Sequence, residues 1–123
     1  MTTKRILVVD DDEAVIEWLR VKIGTRYEFI STTAPQRVMD LAREQEPDLI
    51  LCDLDMPEMD GGDVSAALFV DEELRHIPLV FLTGAVTPQD IKSLQGRIGG
   101  RPAIPKSVPI VELIERIEQL MQA

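Results

Sequence analysis

Two kinds of segment alternate along the chain. The first is short, apolar and β-branched. Ile6-Leu7-Val8-Val9 runs into Asp10-Asp11-Asp12, Leu49-Ile50-Leu51-Cys52 into Asp53, and Leu79-Val80-Phe81-Leu82 into Thr83. Continuous apolar runs of this length suit strands covered on both faces, the habit of parallel sheets. Tyr27 to Thr32 alternates, as an edge strand does, and Pro102-Ala103-Ile104-Pro105, ending at Lys106, is the poorest run. The second kind has helical period. Val15, Trp18, Leu19 and Ile23 form a stripe that places Trp18 in the core, and Gly24 is placed to end that helix. Val38, Leu41 and Ala42 follow Pro35, which suits a first turn. Val64, Ala67 and Leu68 follow Gly61-Gly62-Asp63. Ile91, Leu94 and Ile98 follow Thr87-Pro88, an N-cap residue with proline at the first helical position. Ile110, Leu113, Ile114, Ile117, Leu120 and Met121 form the cleanest stripe, opposite Glu112, Glu115, Arg116 and Glu118.

Strand and helix therefore alternate five times, which predicts an α/β fold: a five-stranded parallel sheet covered by helices on both faces. The chain of 123 residues fits one domain spanning 1–123. Gly96, Gly99, Gly100, Pro102 and Pro105 leave the segment between them little propensity for helix or strand, so local mobility is expected there.

Composition narrows the function. A single cysteine excludes a disulfide scaffold. Twenty-two acidic against 13 basic residues give a net charge of −9, which argues against nucleic acid or an anionic membrane as the main partner. The apolar run Ile6–Val9 is too short for a signal peptide and no stretch approaches a membrane span, so a cytoplasmic protein is expected.

The chemistry gathers where strands end. Asp10, Asp11 and Asp12 follow the first strand, Asp53 and Asp55 the third, Thr83 the fourth and Lys106 the fifth. In an open α/β sheet ligands bind beyond those ends, where strand order reverses. With the order 2-1-3-4-5 that crevice lies between the first and third strands, which carry the aspartates. Carboxylates about 4 Å apart repel by roughly 4 kcal/mol per pair near a protein surface. A hard divalent cation removes the conflict, and magnesium suits a few carboxylates plus a phosphate oxygen. A nearby lysine and a threonine hydroxyl can receive an anion. Together these residues read as a site for a phosphoryl group beside a metal.

Val8-Val9-Asp10-Asp11, then Asp53-Leu54-Asp55-Met56-Pro57 with Gly61 after it, then Phe81-Leu82-Thr83-Gly84, then Lys106, resemble the receiver domain of two-component response regulators. Four motifs in order, each ending a predicted strand, carry the resemblance from Lys4 to about Leu120. It implies a doubly wound, flavodoxin-like fold with five helices. It implies that Asp53 accepts a phosphoryl group from a phosphohistidine on a sensor histidine kinase or phosphotransfer protein, the only chemistry being self-catalysed transfer and loss of that group. It implies Mg2+ bound by Asp11 directly, by Asp10 through water, by Asp53 and by the backbone carbonyl of Asp55. Moving the register by one residue would pass the direct role to Asp12. Thr83 would bond one phosphoryl oxygen and Lys106 another. The surface of the fourth helix, fifth strand and fifth helix would then switch, acting on a downstream protein or an output domain outside this chain.

Two positions depart from the family pattern. Ser107 stands where a proline after the lysine, with a cis bond, is usual, so either the bond is trans or strain is held there. Ala103 stands where an aromatic switch residue is common, so the usual threonine-to-aromatic coupling is unavailable. Plainer roles also suit some residues. Asp12 reads as a helix cap, Cys52 as an inert core residue and His76 as a surface loop residue, while Lys106 alone could be a surface lysine. Asp53-Leu54-Asp55 also resembles the nucleophile motif of haloacid-dehalogenase-type phosphatases, although there the motif opens the domain. A receiver-fold interaction module acting without phosphorylation is the other rival, favoured by Ser107 and Ala103.

Overall fold

The computed structural model describes residues 3–84 and 87–122. In chain order it contains β1 (Arg5–Val9), α1 (Glu13–Ile23), β2 (Glu28–Thr32), a 3-10 turn (Pro35–Arg37), α2 (Val38–Gln45), β3 (Leu49–Cys52), α3 (Gly61–Val70), β4 (Leu79–Thr83), α4 (Pro88–Ser93), β5 (Arg97–Ile98), β6 (Arg101–Pro105) and α5 (Ile110–Gln122). The sheet order is β2-β1-β3-β4-β6-β5. The first five strands in that row are parallel, in the expected 2-1-3-4-5 order, with β6 as the fifth parallel strand.

The side-chain period of two divides the core into two layers. Leu7, Val9, Ile50, Cys52, Phe81 and Ala103 face one side, where Val38 and Ala42 of α2, Val64 and Leu68 of α3 and Ile91 of α4 cover them. Ile6, Val8, Leu51, Val80, Leu82 and Ile104 face the other, beneath Ile16, Leu19 and Ile23 of α1 and Leu113 and Ile117 of α5. Both faces of β3 and β4 are thus buried, which is why these strands read as unbroken apolar runs. Among the described residues no helix is long and apolar enough to cross a membrane.

Several expectations change. Trp18 is not core: it is 44% exposed, and Ile16 takes the buried position. Stripes through 15-18-19-23 and through 16-19-23 both have helical spacing. The second sets branched Ile16 flat under the sheet, while the indole, beside Val15, lines a groove of about 270 Å³ with Val108 and Leu113. The stripe Ile91-Leu94-Ile98 is also broken, because α4 ends at Ser93. Gln95 (φ 60°) and Gly96 (φ 75°) turn the chain left-handed, and β5 then pairs antiparallel with the start of β6.

The turn of this hairpin is Gly99-Gly100, with φ of 55° and 81°. Positive φ at both central positions is the type I′ pattern of a two-residue hairpin turn, which glycine adopts without steric cost. The segment of low helix and strand propensity therefore forms an edge hairpin, which adds a two-residue antiparallel strand to the expected five parallel strands, so the sheet has six strands and is mixed.

The observed phase of α1 predicts that Leu19→Ala lowers unfolding free energy by about 2–5 kcal/mol, as for a fully buried leucine. Trp18→Ala lowers it by less, despite removing the larger side chain. Urea unfolding of both variants checks this, and the reverse ranking would contradict the burial of α1.

Candidate functional site

Register brings the acidic residues together. Val9 of β1 pairs with Cys52 of β3, so Asp10 and Asp53 leave the sheet side by side. The ladder runs one step further, the Asp53 N–H donating to the Val9 carbonyl at 2.9 Å. Both carboxylates are buried, at 3% and 6% exposure. Asp10 Oδ1 accepts from the Asp12 N–H at 2.9 Å, which fixes its side chain in its own turn. Carboxylate oxygens of Asp10, Asp11 and Asp53 lie within 4.8 Å of one another, Asp11 being the exposed member. Asp12 points to other work: it is the N-cap of α1 and accepts from the Ala14 N–H at 2.9 Å.

Lys106 reaches this cluster from β6. Thr83 pairs with Pro105, and the Lys106 N–H donates to the Thr83 carbonyl at 2.9 Å, so the β4–β6 ladder aims the lysine at the cleft. Its Nζ lies 2.9 Å from Asp10 Oδ2 and 3.5 Å from Asp53 Oδ2. No cis peptide bond occurs among the described residues, so the lysine is reached over a trans bond to Ser107. Thr83 is fully buried at the end of β4.

Electrostatics follow from this packing. Burial and then the charge of Asp10 push the Asp53 carboxyl pKa up, while Lys106 and the Asp55 N–H pull it back; the net shift is upward. Burial lowers the Lys106 pKa, but the hydrogen bond and charge of Asp10, then Asp53, outweigh it and the net shift is upward. Three carboxylates and one ammonium leave two negative charges, the complement of one divalent cation. The donors are all oxygen, a set that fits a hard cation.

The loop from Asp53 to α3 contains features that strand and helix patterns do not reveal. The Gly61 N–H donates to the Leu54 carbonyl at 2.9 Å, and a Cβ on Gly61 would stand 2.3 Å from the Asp53 carbonyl oxygen. Only glycine allows α3 to start this close to the site. Asp60 and Asp63 form a reciprocal capping box that fixes that start, and Met56 is buried beneath it. The Asp-x-x-Asp spacing before an apolar run is the sequence signature that points to the cap. Asp55 is exposed in this loop. Elsewhere, His76 is exposed. Burial first, then the charges of Asp53 and Asp10, push the Cys52 thiol up to about 12, so it stays protonated and inert.

Comparison with known proteins agrees with this geometry. The sequence model described as "Response regulator receiver domain" matches residues 6–118. The polar-differentiation response regulator DivK of Brucella ovis is 38% identical over 121 residues, covering 97% of each chain. Among solved structures, the signal receiver domain of a signal transduction histidine kinase from Syntrophus aciditrophicus is 29% identical, with a TM-score of 0.79 over 97% of this chain and 90% of that one. A response regulator from Desulfuromonas acetoxidans is 22% identical, shares the fold with a TM-score of 0.81, and covers 97% of each chain. A protein with the sheet order, the acidic crevice and this family match along almost its whole length belongs to the response regulator receiver domain family.

Proposed function

We propose that this receiver domain is a phosphoacceptor and that Asp53 takes the phosphoryl group. The observation that carries the reading is a buried Asp53 paired with Lys106 and grouped with Asp10 and Asp11. The donor is a phosphohistidine on a sensor histidine kinase or phosphotransfer protein, met in the cytoplasm. An Asp53 carboxylate oxygen attacks phosphorus; the new O–P bond forms as the N–P bond breaks, and the electron pair returns to the imidazole nitrogen. Acyl phosphates on aspartate are an established covalent route.

This chain's residues position and neutralise, as phosphoryl transfer requires. Lys106, already between Asp10 and Asp53, pairs with one transferred oxygen. Thr83, at the end of the neighbouring strand, donates to another. Asp10, Asp11, Asp53 and the Asp55 carbonyl would hold Mg2+, which supplies charge compensation for the phosphoryl oxygens. The responding surface is α4, β6 and α5. There Ala103 replaces the usual aromatic, is 1% exposed and packs in the layer that holds Ile91 of α4.

Incubation with acetyl phosphate and Mg2+ tests the reading by intact mass. The expected result is an acid-stable, base-labile phosphoryl adduct that requires Mg2+ and is absent in Asp53→Asn. Lys106→Ala slows its formation on the order of a hundredfold, the loss typical of one charge-stabilising group. No adduct on the parent chain overturns the phosphoacceptor role and leaves a receiver-fold interaction module.

A second prediction concerns pH in metal-free buffer. A carboxyl whose folded pKa lies above its unfolded value is destabilising when ionised, and the penalty vanishes as pH falls through the folded value. Asp53→Asn is therefore more resistant to urea than the parent at neutral pH, and the gap closes on acidification as Asp53 protonates. A constant gap down to pH 4 would contradict the burial-driven shift. Lys106, whose folded pKa is raised, contributes stability that is present below about pH 10 and lost only as pH rises through its folded value.

A further inference from the structure

The β5–β6 hairpin is fastened unevenly. Ala103, Ile104 and Pro105 of β6 pair with β4, while Arg101 and Pro102 pair only with Ile98 and Arg97 of β5. The chain enters the hairpin through Gln95 and Gly96 and turns at Gly99 and Gly100, all four at positive φ. A Cβ on any of these three glycines would meet no atom within 4 Å, so nothing packs closely against these corners. Within the hairpin, the Ala103 N–H donates to the Gly96 carbonyl at 2.9 Å, and Arg97 Nη1 donates to the Gly100 carbonyl at 2.7 Å. The hairpin therefore holds itself together, but it is bound to β4 only from Ala103 onward.

Its tie to α3 is a hydrogen bond from Arg101 Nε–H to Ser65 Oγ at 2.8 Å. Nη2 of the same guanidinium is buried without a hydrogen-bond partner, the one such side-chain atom among the described residues. A buried donor left unpaired destabilises the arrangement that buries it, and more so on a charged group. Packing does not compensate. A groove of about 520 Å³, edged by Leu54, Phe69, Phe81 and Ile98, lies between the hairpin and α3. Atoms that face such a gap lose their dispersion partners.

We propose that the Arg101–Ser65 contact is a latch, and that the hairpin from Gly96 to Pro102 swings off α3 as a unit in a minor state of the free protein. Gly96 and the junction of Pro102 with Ala103 take up the bend. On release Arg101 leaves Ser65 for water, which satisfies every guanidinium donor. Ile98 is paired with Arg101 and stands on the same side of the hairpin, so it leaves with it. Part of Leu54 and Phe81 is then uncovered beside Phe69 and Val70, which are already 71% and 76% exposed. Lys106 stays in place, because β6 remains paired with β4 through Pro105 and the Lys106 N–H remains on the Thr83 carbonyl. The latch thus sets the shape of the outer edge independently of Asp53 and of any phosphoryl group there.

Relaxation-dispersion NMR on the unphosphorylated, 15N-labelled chain tests this. The expected result is microsecond-to-millisecond exchange at the amides of Ser65, Ile98 and Arg101, with flat profiles at Val9, Asp53 and Lys106. Ser65→Ala removes the acceptor and raises the released population about fivefold, as for the loss of one hydrogen bond. Arg101→Met keeps an apolar stem, removes the orphaned donor and lowers the released population below that of the parent. A guanidinium that simply braced the hairpin would give the opposite sign. An unchanged population in Ser65→Ala, a higher one in Arg101→Met, or exchange that reaches Asp53 and Lys106 overturns the latch. So do flat profiles across the hairpin in both the parent and Ser65→Ala.

Discussion

The structure depends on one ammonium group between two buried carboxylates. Asp10 and Asp53 sit at 3% and 6% exposure, side by side because β1 and β3 are in register. Two like charges so placed would force one to hold a proton. Lys106, at 2.9 Å and 3.5 Å, offsets part of that repulsion, and the upward shift of Asp53, caused first by burial and then by the Asp10 charge, records what remains of it. Everything that brings Lys106 there matters equally: β6 beside β4, the Thr83–Pro105 register and the Thr83 carbonyl that accepts from the lysine N–H.

The far edge of the sheet lies outside this arrangement. Beyond Lys106 the site asks nothing of the sheet, and here that edge carries a two-residue strand and a Gly-Gly turn after a helix of six residues. Leu94, which a longer helix would bury, is 51% exposed. The hairpin instead hands Ile98 and Arg101 to the groove against α3. The short helix and the hairpin thus shape the outer surface at the edge of the sheet away from β1 and β3, whose ends carry the acidic cluster.

How much was legible follows from how local each determinant is. The β-branched runs of β1, β3 and β4 were plain because both faces of each strand are buried, leaving no polar interruption. Asp10, Asp53 and Lys106 were legible because each directly follows a strand, Asp11 because it adjoins Asp10, and the strand ends converge. The phase of α1 was not, since Trp18 and Ile16 satisfy the same spacing and only the rim position of the indole decides between them. The hairpin was hidden for a different reason. Glycine and proline normally signal irregular chain, but positive φ at Gly99 and Gly100 is what a tight hairpin requires. The close approach of Gly61 to the Asp53 carbonyl is a three-dimensional fact with no period at all.

The charge count at the cleft also constrains any phosphoryl group on Asp53. An arriving dianion competes with Asp10 for the one ammonium in contact with both aspartates. If Lys106 turns to the new oxygens, Asp10 loses its 2.9 Å partner while remaining buried. An unpaired buried carboxylate is more costly than a paired one. The Asp12 N–H at Asp10 Oδ1 offsets part of that cost, but it carries no charge. Under the proposed phosphoacceptor role, the added charge would call for a cation at Asp10 and Asp11, and Lys106 would be the member that changes partners.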